Sequence, residues 1–370
     1  MRNASDGCAT VSSMTVQIPV RKAILERQTY DAPAEGREGK VRLDFNENTA
    51  GCSPAVTRAL RKISTKQLAM YPEYEQRSAR LARYFHVERE ELLLTNGGDD
   101  ALRVFFDTFV DSGSSVLICE PTFPMYRYYA EIAGARVEAL RYGREMEFPL
   151  STVLAELEKE PRVLFIANPN NPTGTLLEVA AIEKVLRAAT KTAVVIDEAY
   201  AEFSGVTLVP FIGKYPHLFI ARTFSKAAGL AALRLGAVIA GAESLSYLRR
   251  AMPPFPVNLA ALVAGEAAAR DLAAIRRRVR EIHRAKTWFE GELHDLGVKS
   301  FPSGGNFLLA NFGPGGPRLF QQLEREGILL RDRSKDLGAG FVRITIGTHA
   351  EMKLLVKTIK RLGFSANMRR

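Results

Sequence analysis

Cysteine is nearly absent: the 370 residues hold three, Cys8, Cys52 and Cys119, with no CxxC spacing. So scattered and odd a set excludes a disulfide framework and a structural zinc site, and it points to a reducing, cytoplasmic setting. Histidine is also sparse. The five present (His86, His217, His283, His294, His349) show no metal-ligand spacing, so no metal is expected and they read as surface or capping residues. Long apolar runs are missing too. A spanning helix needs roughly 18 or more uninterrupted apolar residues, whereas the blandest stretch, 251–269, carries three prolines, Asn258 and Glu266. No membrane span is expected. Residues 1–17 lack an apolar segment and read as a loose tail rather than a secretory signal. Neither GxGxxG nor the P-loop pattern occurs, so a dinucleotide or nucleoside triphosphate is not the natural occupant. Acidic residues are in deficit, 41 against 51 Lys and Arg, a net +10 compatible with nucleic acid, an acidic surface or small anionic substrates.

What is present is an alternation. Short β-branched runs at 92–95, 115–119, 136–140, 163–167, 193–197, 218–221 and 235–240 are separated by helical patterns such as 101–110 and 178–189. The runs are almost continuously apolar, as in strands covered by helices on both faces, so the expected fold class is α/β with a seven-stranded, mostly parallel sheet. After the Pro253-Pro254-Phe255-Pro256 break, a long helical stretch over 258–296 reads as a connecting helix. Beyond it, strands at 306–311 and 341–346 and helices at 318–326 and 350–362 predict a smaller α+β domain. The expected organisation is a tail (1–20), a segment packing on the small domain or a partner subunit (21–65), a large domain (66–259) and a small one (260–370).

In open parallel sheets ligands bind beyond the carboxyl ends of the strands. Four runs end there in unusual chemistry: Thr95-Asn96-Gly97-Gly98-Asp99-Asp100, then residues 168–174 (Asn-Pro-Asn-Asn-Pro-Thr-Gly), Asp197-Glu198-Ala199-Tyr200, and Arg222-Thr223-Phe224-Ser225-Lys226. Gly97 and Gly98 allow a tight turn into a helix whose free N–H groups suit a phosphate; a plain turn capped by Asp99 is the blander alternative. Lys226 sits among small residues where an ammonium is poorly solvated, which lowers its pKa and frees an amine for Schiff-base chemistry; an exposed lysine at a helix start remains open. Asp197 closes an apolar strand and needs a cationic partner such as a protonated pyridine nitrogen, unless it merely caps the next turn.

Taken together, these segments resemble the histidinol-phosphate aminotransferase family of fold type I pyridoxal phosphate enzymes. The resemblance also takes in Asn46-Glu47-Asn48, Tyr71-Pro72-Glu73, residues 121–126, Arg234, Asn306-Phe307 and residues 343–347, and covers nearly the whole chain after about residue 20. It implies a pyridoxal 5′-phosphate cofactor bonded to Lys226, which also moves the substrate Cα proton. Asp197 would pair with the pyridine nitrogen, Asn171 and Tyr200 with the phenolic oxygen, and Phe123 would stack on the ring. Gly98, Asp99, Thr223 and Arg234 would hold the phosphate, with Tyr71 reaching it from the second subunit of a homodimer. Arg343 would clamp the substrate carboxylate; Tyr30, also across the interface, and Arg331 would meet the phosphate end of histidinol phosphate, with Asn48 bordering the substrate. Phe123 stands where Tyr is more usual and Asn-Glu-Asn-Thr where Asn-Glu-Asn-Pro is common. The expected partners are an amino donor and a 2-oxo acid, not nucleic acid or membrane. An aromatic amino acid aminotransferase and a threonine-phosphate decarboxylase-like lyase remain the alternatives on this scaffold.

Overall fold

The computed structural model describes residues 18–25, 27 and 35–364. The chain divides into two units, residues 1–32 and 33–370. The described part of the first contains one short helix, Lys22–Leu25.

In the second unit, all seven expected apolar runs are strands of one sheet. After β1 (Val41–Leu43), described below, they are β2 (Leu92–Thr95), β3 (Ser115–Glu120), β4 (Arg136–Arg141), β5 (Val163–Ala167), β6 (Ala193–Asp197), β7 (Leu218–Thr223) and β8 (Gly236–Ala240), in spatial order β2-β8-β7-β6-β5-β3-β4. Every pairing is parallel except those made by β8, which runs against both β2 and β7. The near-continuous apolarity reflects burial on both faces. In β5, Leu164 and Ile166 enter one core cluster while Val163, Phe165 and Ala167 enter the other. Edge strand β4 instead exposes Arg136, Glu138 and Arg141, charges that discourage pairing with another edge.

The smaller sheet holds β9 (Lys299–Phe301), β10 (Phe307–Asn311), β11 (Ile328–Asp332) and β12 (Phe341–Thr345), in the order β1-β11-β12-β10-β9. β1 runs parallel to β11, tying the segment before residue 65 into this sheet. The helical stretch expected as one connecting helix is two, Leu259–Arg270 and Leu272–Asp295. The break falls at Asp271, whose carboxylate accepts from the Ala274 N–H at 3.3 Å and caps the second helix.

Behind the strand ends lies a buried ionic network. Glu198 accepts from Arg222 Nη1 (2.8 Å), the Thr207 hydroxyl (2.7 Å) and the Leu208 N–H (2.6 Å), while Arg222 Nη2 reaches Glu202 at 2.7 Å. Burial lifts the Glu198 carboxyl above its ordinary range, and Arg222 opposes that rise. Arg222→Met should strand this carboxylate and lower the unfolding free energy by about 3–5 kcal/mol, measurable by urea denaturation. A loss below about 1 kcal/mol would contradict a stabilising role for the pair.

Candidate active site

Strand register builds the site. Ala167, Asp197 and Ala221 are neighbours across β5, β6 and β7, and Thr223, Gly236 and Thr95 across β7, β8 and β2, so the chemistry-bearing loops leave the sheet side by side. Gly97 turns with φ 86°, and a Cβ there would lie 2.7 Å from Arg234 Nη2. Gly236 is equally constrained, because its Cβ would meet the Gly97 carbonyl carbon at 2.5 Å. The helix Gly98–Phe109 starts directly from that turn, and its first N–H groups have no carbonyl one turn back. Arg234 lies beside them, 3.0 Å from Asp99, and Thr223 and Ser225 bring hydroxyls joined at 2.9 Å. Amides, a guanidinium and hydroxyls at a helix start form a phosphate cradle.

Lys226 follows this cradle. Its ammonium donates to the Phe45 carbonyl at 3.0 Å and lies 5.9 Å from the Tyr200 ring centroid. Loss of solvation, and after it the positive charge of Arg343, lowers the Lys226 pKa to about 8 from 10.5. The amine therefore deprotonates far more readily than an exposed lysine.

Asp197 accepts from the Tyr126 hydroxyl (2.7 Å) and the Ala199 N–H (3.0 Å). Those bonds stabilise the carboxylate, but burial outweighs them and raises its pKa. Such an acid gains from a cationic N–H partner. Phe123 sits half-buried at the rim, edge-on to Tyr126 with ring centroids 5.8 Å apart.

The small sheet supplies two arginines. Arg331 and Arg343 are direct cross-strand neighbours on β11 and β12. Like charges so placed repel unless something anionic balances them. Arg343 donates to Asn171 Oδ1 at 2.5 Å and to the Asp44 carbonyl. Arg331 has no acidic partner among the described residues and rests 5.9 Å from the Phe45 ring.

Of the expected site residues, Gly98, Asp99, Thr223, Arg234, Lys226, Asp197, Tyr200, Asn171 and Arg343 thus converge. Asn48 also reaches the cleft, its amide donating to the Ala227 carbonyl at 3.3 Å while its Oδ1 is buried without a partner. Tyr71 does not converge within one chain: it is 80% exposed and stacks on Phe255 at 4.3 Å. Tyr30 lies outside the described residues. Sequence reading gave no role to Asn46, whose amide donates to the Tyr200 oxygen at 2.8 Å, or to Phe45, whose carbonyl holds Lys226. No His, Cys, Asp or Glu cluster able to hold a metal occurs among the described residues.

The donor set fits pyridoxal phosphate: a phosphate cradle, a low-pKa lysine, a buried acid and an aromatic ring lie along one rim. The fold and site are those of an aminotransferase: the aminotransferase class I and II family matches residues 38–359, and the chain belongs to it. Within that family it is similar to histidinol-phosphate aminotransferase 1 of Carboxydothermus hydrogenoformans, 33% identical over 324 residues, spanning 86% of this chain and 92% of the relative. The solved structure of histidinol-phosphate aminotransferase from Sinorhizobium meliloti in complex with pyridoxal-5′-phosphate has the same fold (TM-score 0.86, 24% identity, 95% of this chain and 99% of that one). So does L-threonine-O-3-phosphate decarboxylase from Porphyromonas gingivalis (TM-score 0.76, 26% identity, 87% and 99%). Family membership bears out the expectation of an enzyme that transfers amino groups with pyridoxal phosphate.

The lysine makes a prediction about stability. Lys226 binds its proton less well folded, with a pKa of about 8, than at its ordinary 10.5, so the folded state is penalised below pH 8 and the penalty fades toward pH 10.5. Cofactor-free Lys226→Met should melt higher than wild type near neutral pH, with the gap closing as pH rises through that window. A gap independent of pH in thermal unfolding would refute the low lysine pKa.

Proposed function

We propose that this aminotransferase takes histidinol phosphate as amino donor and 2-oxoglutarate as acceptor, as a cytoplasmic homodimer. The observation that carries the donor assignment is the cross-strand pair Arg331 and Arg343, of which Arg331 has no acidic partner among the described residues. A phosphate-bearing substrate supplies the charge that this pair lacks, while an aromatic amino acid would leave Arg331 unbalanced.

In this reading the amides of Gly98 and Asp99, the Thr223 hydroxyl and Arg234 hold the cofactor phosphate. Asp197 would accept a hydrogen bond from the ring nitrogen and keep that nitrogen protonated, Phe123 would cover the ring, and Tyr200 and the Asn171 amide would face the phenolic oxygen. Asn171 already accepts from Arg343 through Oδ1, which leaves its N–H groups for that oxygen. Bound there, the cofactor supplies an electron sink for the pair left when the substrate α-proton departs. Lys226, with its readily lost proton, is the base that removes the Cα proton and returns it. Arg343, and on one side Asn48, orient the substrate. Residues 66–259 form the cofactor domain and 260–370 the small domain in this scheme. The dimer reading is supported by the exposed apolar group of Leu68, Met70, Tyr71 and Phe255, from which Tyr71 would reach the partner's site, as Tyr30 would.

Three measurements test the reading. Purified protein given pyridoxal phosphate should show the visible band of lysine-bound cofactor, and Lys226→Ala should lose it; a band that survives the substitution would sink the lysine's role. Arg331→Ala should lower kcat/KM for histidinol phosphate about ten- to a hundredfold, the worth of a charge-assisted contact, and leave phenylalanine within about threefold. Equal losses on both donors would remove Arg331 from phosphate recognition. Carbon dioxide release without a 2-oxo acid would favour the lyase alternative.

A further inference from the structure

Asn46 is 1% exposed and has left-handed backbone, with φ 55°. A non-glycine residue holds that conformation only when its surroundings fix it, and asparagine tolerates it better than most. Here all four of its polar groups are used. Its N–H donates to Thr345 Oγ1 at 2.9 Å, and its carbonyl accepts from Asn306 Nδ2 at 3.1 Å. Its Oδ1 accepts from the Thr345 hydroxyl at 3.2 Å, and its Nδ2 donates to the Tyr200 oxygen at 2.8 Å.

Hydrogen-bond satisfaction sets the direction of these bonds. Thr345 is fully buried and its hydroxyl proton has Asn46 Oδ1 as its acceptor; turning the amide over would leave that proton without one among the described residues, so the amide nitrogen is the atom that faces Tyr200. Tyr200 is consequently an acceptor toward Asn46. Tyr200 is buried, its ring edge-on to Phe307 with centroids 5.1 Å apart, and its own O–H has no acceptor among the described residues. A buried donor with no partner is costly, and the open side of Tyr200 is the cleft holding Lys226.

We propose that Asn46 is a positioning residue for Tyr200: by donating to the phenol oxygen it commits the phenol proton to the phenolic oxygen of the bound cofactor. The inference rests on the pyridoxal phosphate reading above. A donor into one end of a hydrogen-bond chain strengthens the donor at the other end. The hydrogen bond from Tyr200 stabilises the cofactor's deprotonated phenolic oxygen and weakens that oxygen's hold on the imine proton. The pH midpoint of the visible band of the lysine-bound cofactor should therefore sit lower with Asn46 than without it.

The test is a spectrophotometric pH titration of the loaded enzyme, with no substrate present. Asn46→Gly keeps the left-handed backbone without strain and removes the amide; its midpoint should rise by up to about one pH unit. Asn46→Asp also tolerates the backbone but turns the donor into an acceptor that draws the Tyr200 proton away, so its midpoint should rise further, toward that of Tyr200→Phe. Adding Asn46→Gly to Tyr200→Phe should change nothing more, because the asparagine acts through the tyrosine. A midpoint unmoved in Asn46→Gly while Tyr200→Phe shifts it would overturn the inference and leave the cofactor reading intact. Absence of any visible band in wild-type enzyme would overturn the cofactor reading, and the inference with it.

Discussion

The site depends on one unfavourable fact: a primary amine is kept largely out of water and faces guanidinium groups. Lys226 is held this way by what surrounds it. Desolvation weakens its hold on a proton most, Arg343 and Arg234 weaken it further, and Glu47 and Asp99 pull the other way. Each of these groups is tethered to another residue. Arg343 is anchored on Asn171 and the Asp44 carbonyl, Arg234 on Asp99, and Glu47 on Arg37 and Arg42. The electrostatic setting of the amine is thus fixed by the fold, through contacts that cross from one sheet to the other.

Residues 44–48 are where those contacts concentrate. Asp44 offers its carbonyl to Arg343 and its carboxylate to Arg37, and Phe45 offers its carbonyl to Lys226. Asn46 reaches Tyr200, Thr345 and Asn306, and Asn48 the Ala227 carbonyl. A five-residue segment therefore touches the lysine, the phenol and the carboxylate-binding arginine of the proposed site. It follows β1, which is held by only three register pairs to β11. A short strand can place these residues because its neighbours in the site, more than its own ladder, hold it in register.

That explains what sequence could and could not disclose. The seven large-sheet strands were legible because burial on both faces writes continuous apolarity into β5, β6 and β8. The rim residues were legible because each follows such a strand directly. β1, β9 and β11 escaped notice: they are three to five residues long, and carry Arg42, Lys299, or Arg331 with Asp332. The break at Asp271 was hidden because aspartate is unremarkable within a helical pattern until its carboxylate is seen capping Ala274. Asn46 and Tyr126 acquire their roles from partners 154 and 71 residues away, Tyr200 and Asp197. No local spacing encodes such contacts. Asn46 lay inside a motif that was read, yet only the topology shows which of the two asparagines faces the phenol.

The net charge of +10 can be followed into the structure in the same way. Glu266 is buried and serves Arg77, Arg80 and Arg270 at 2.9, 3.2 and 3.4 Å. Glu120 is shared by Arg127 and Arg141, and Glu183 by Lys214 and Arg187. When one carboxylate answers two or three bases, cations outnumber anions without any partner macromolecule being required. The imbalance around the cleft is of another kind, since Arg331 and Arg343 stand side by side and only Arg343 is tied into the protein through Asn171 and Asp44. Repulsion between them is a standing cost of the ligand-free fold, and an anion that bridges both relieves it. Binding of a doubly anionic substrate is thereby coupled to the same arginine that lowers the Lys226 pKa. An anionic substrate group that neutralises Arg343 would remove one of the influences that keep the lysine proton loose. If the amine is to remain a base once substrate is bound, its burial must outweigh the arginine's charge, and burial is indeed the strongest influence on Lys226.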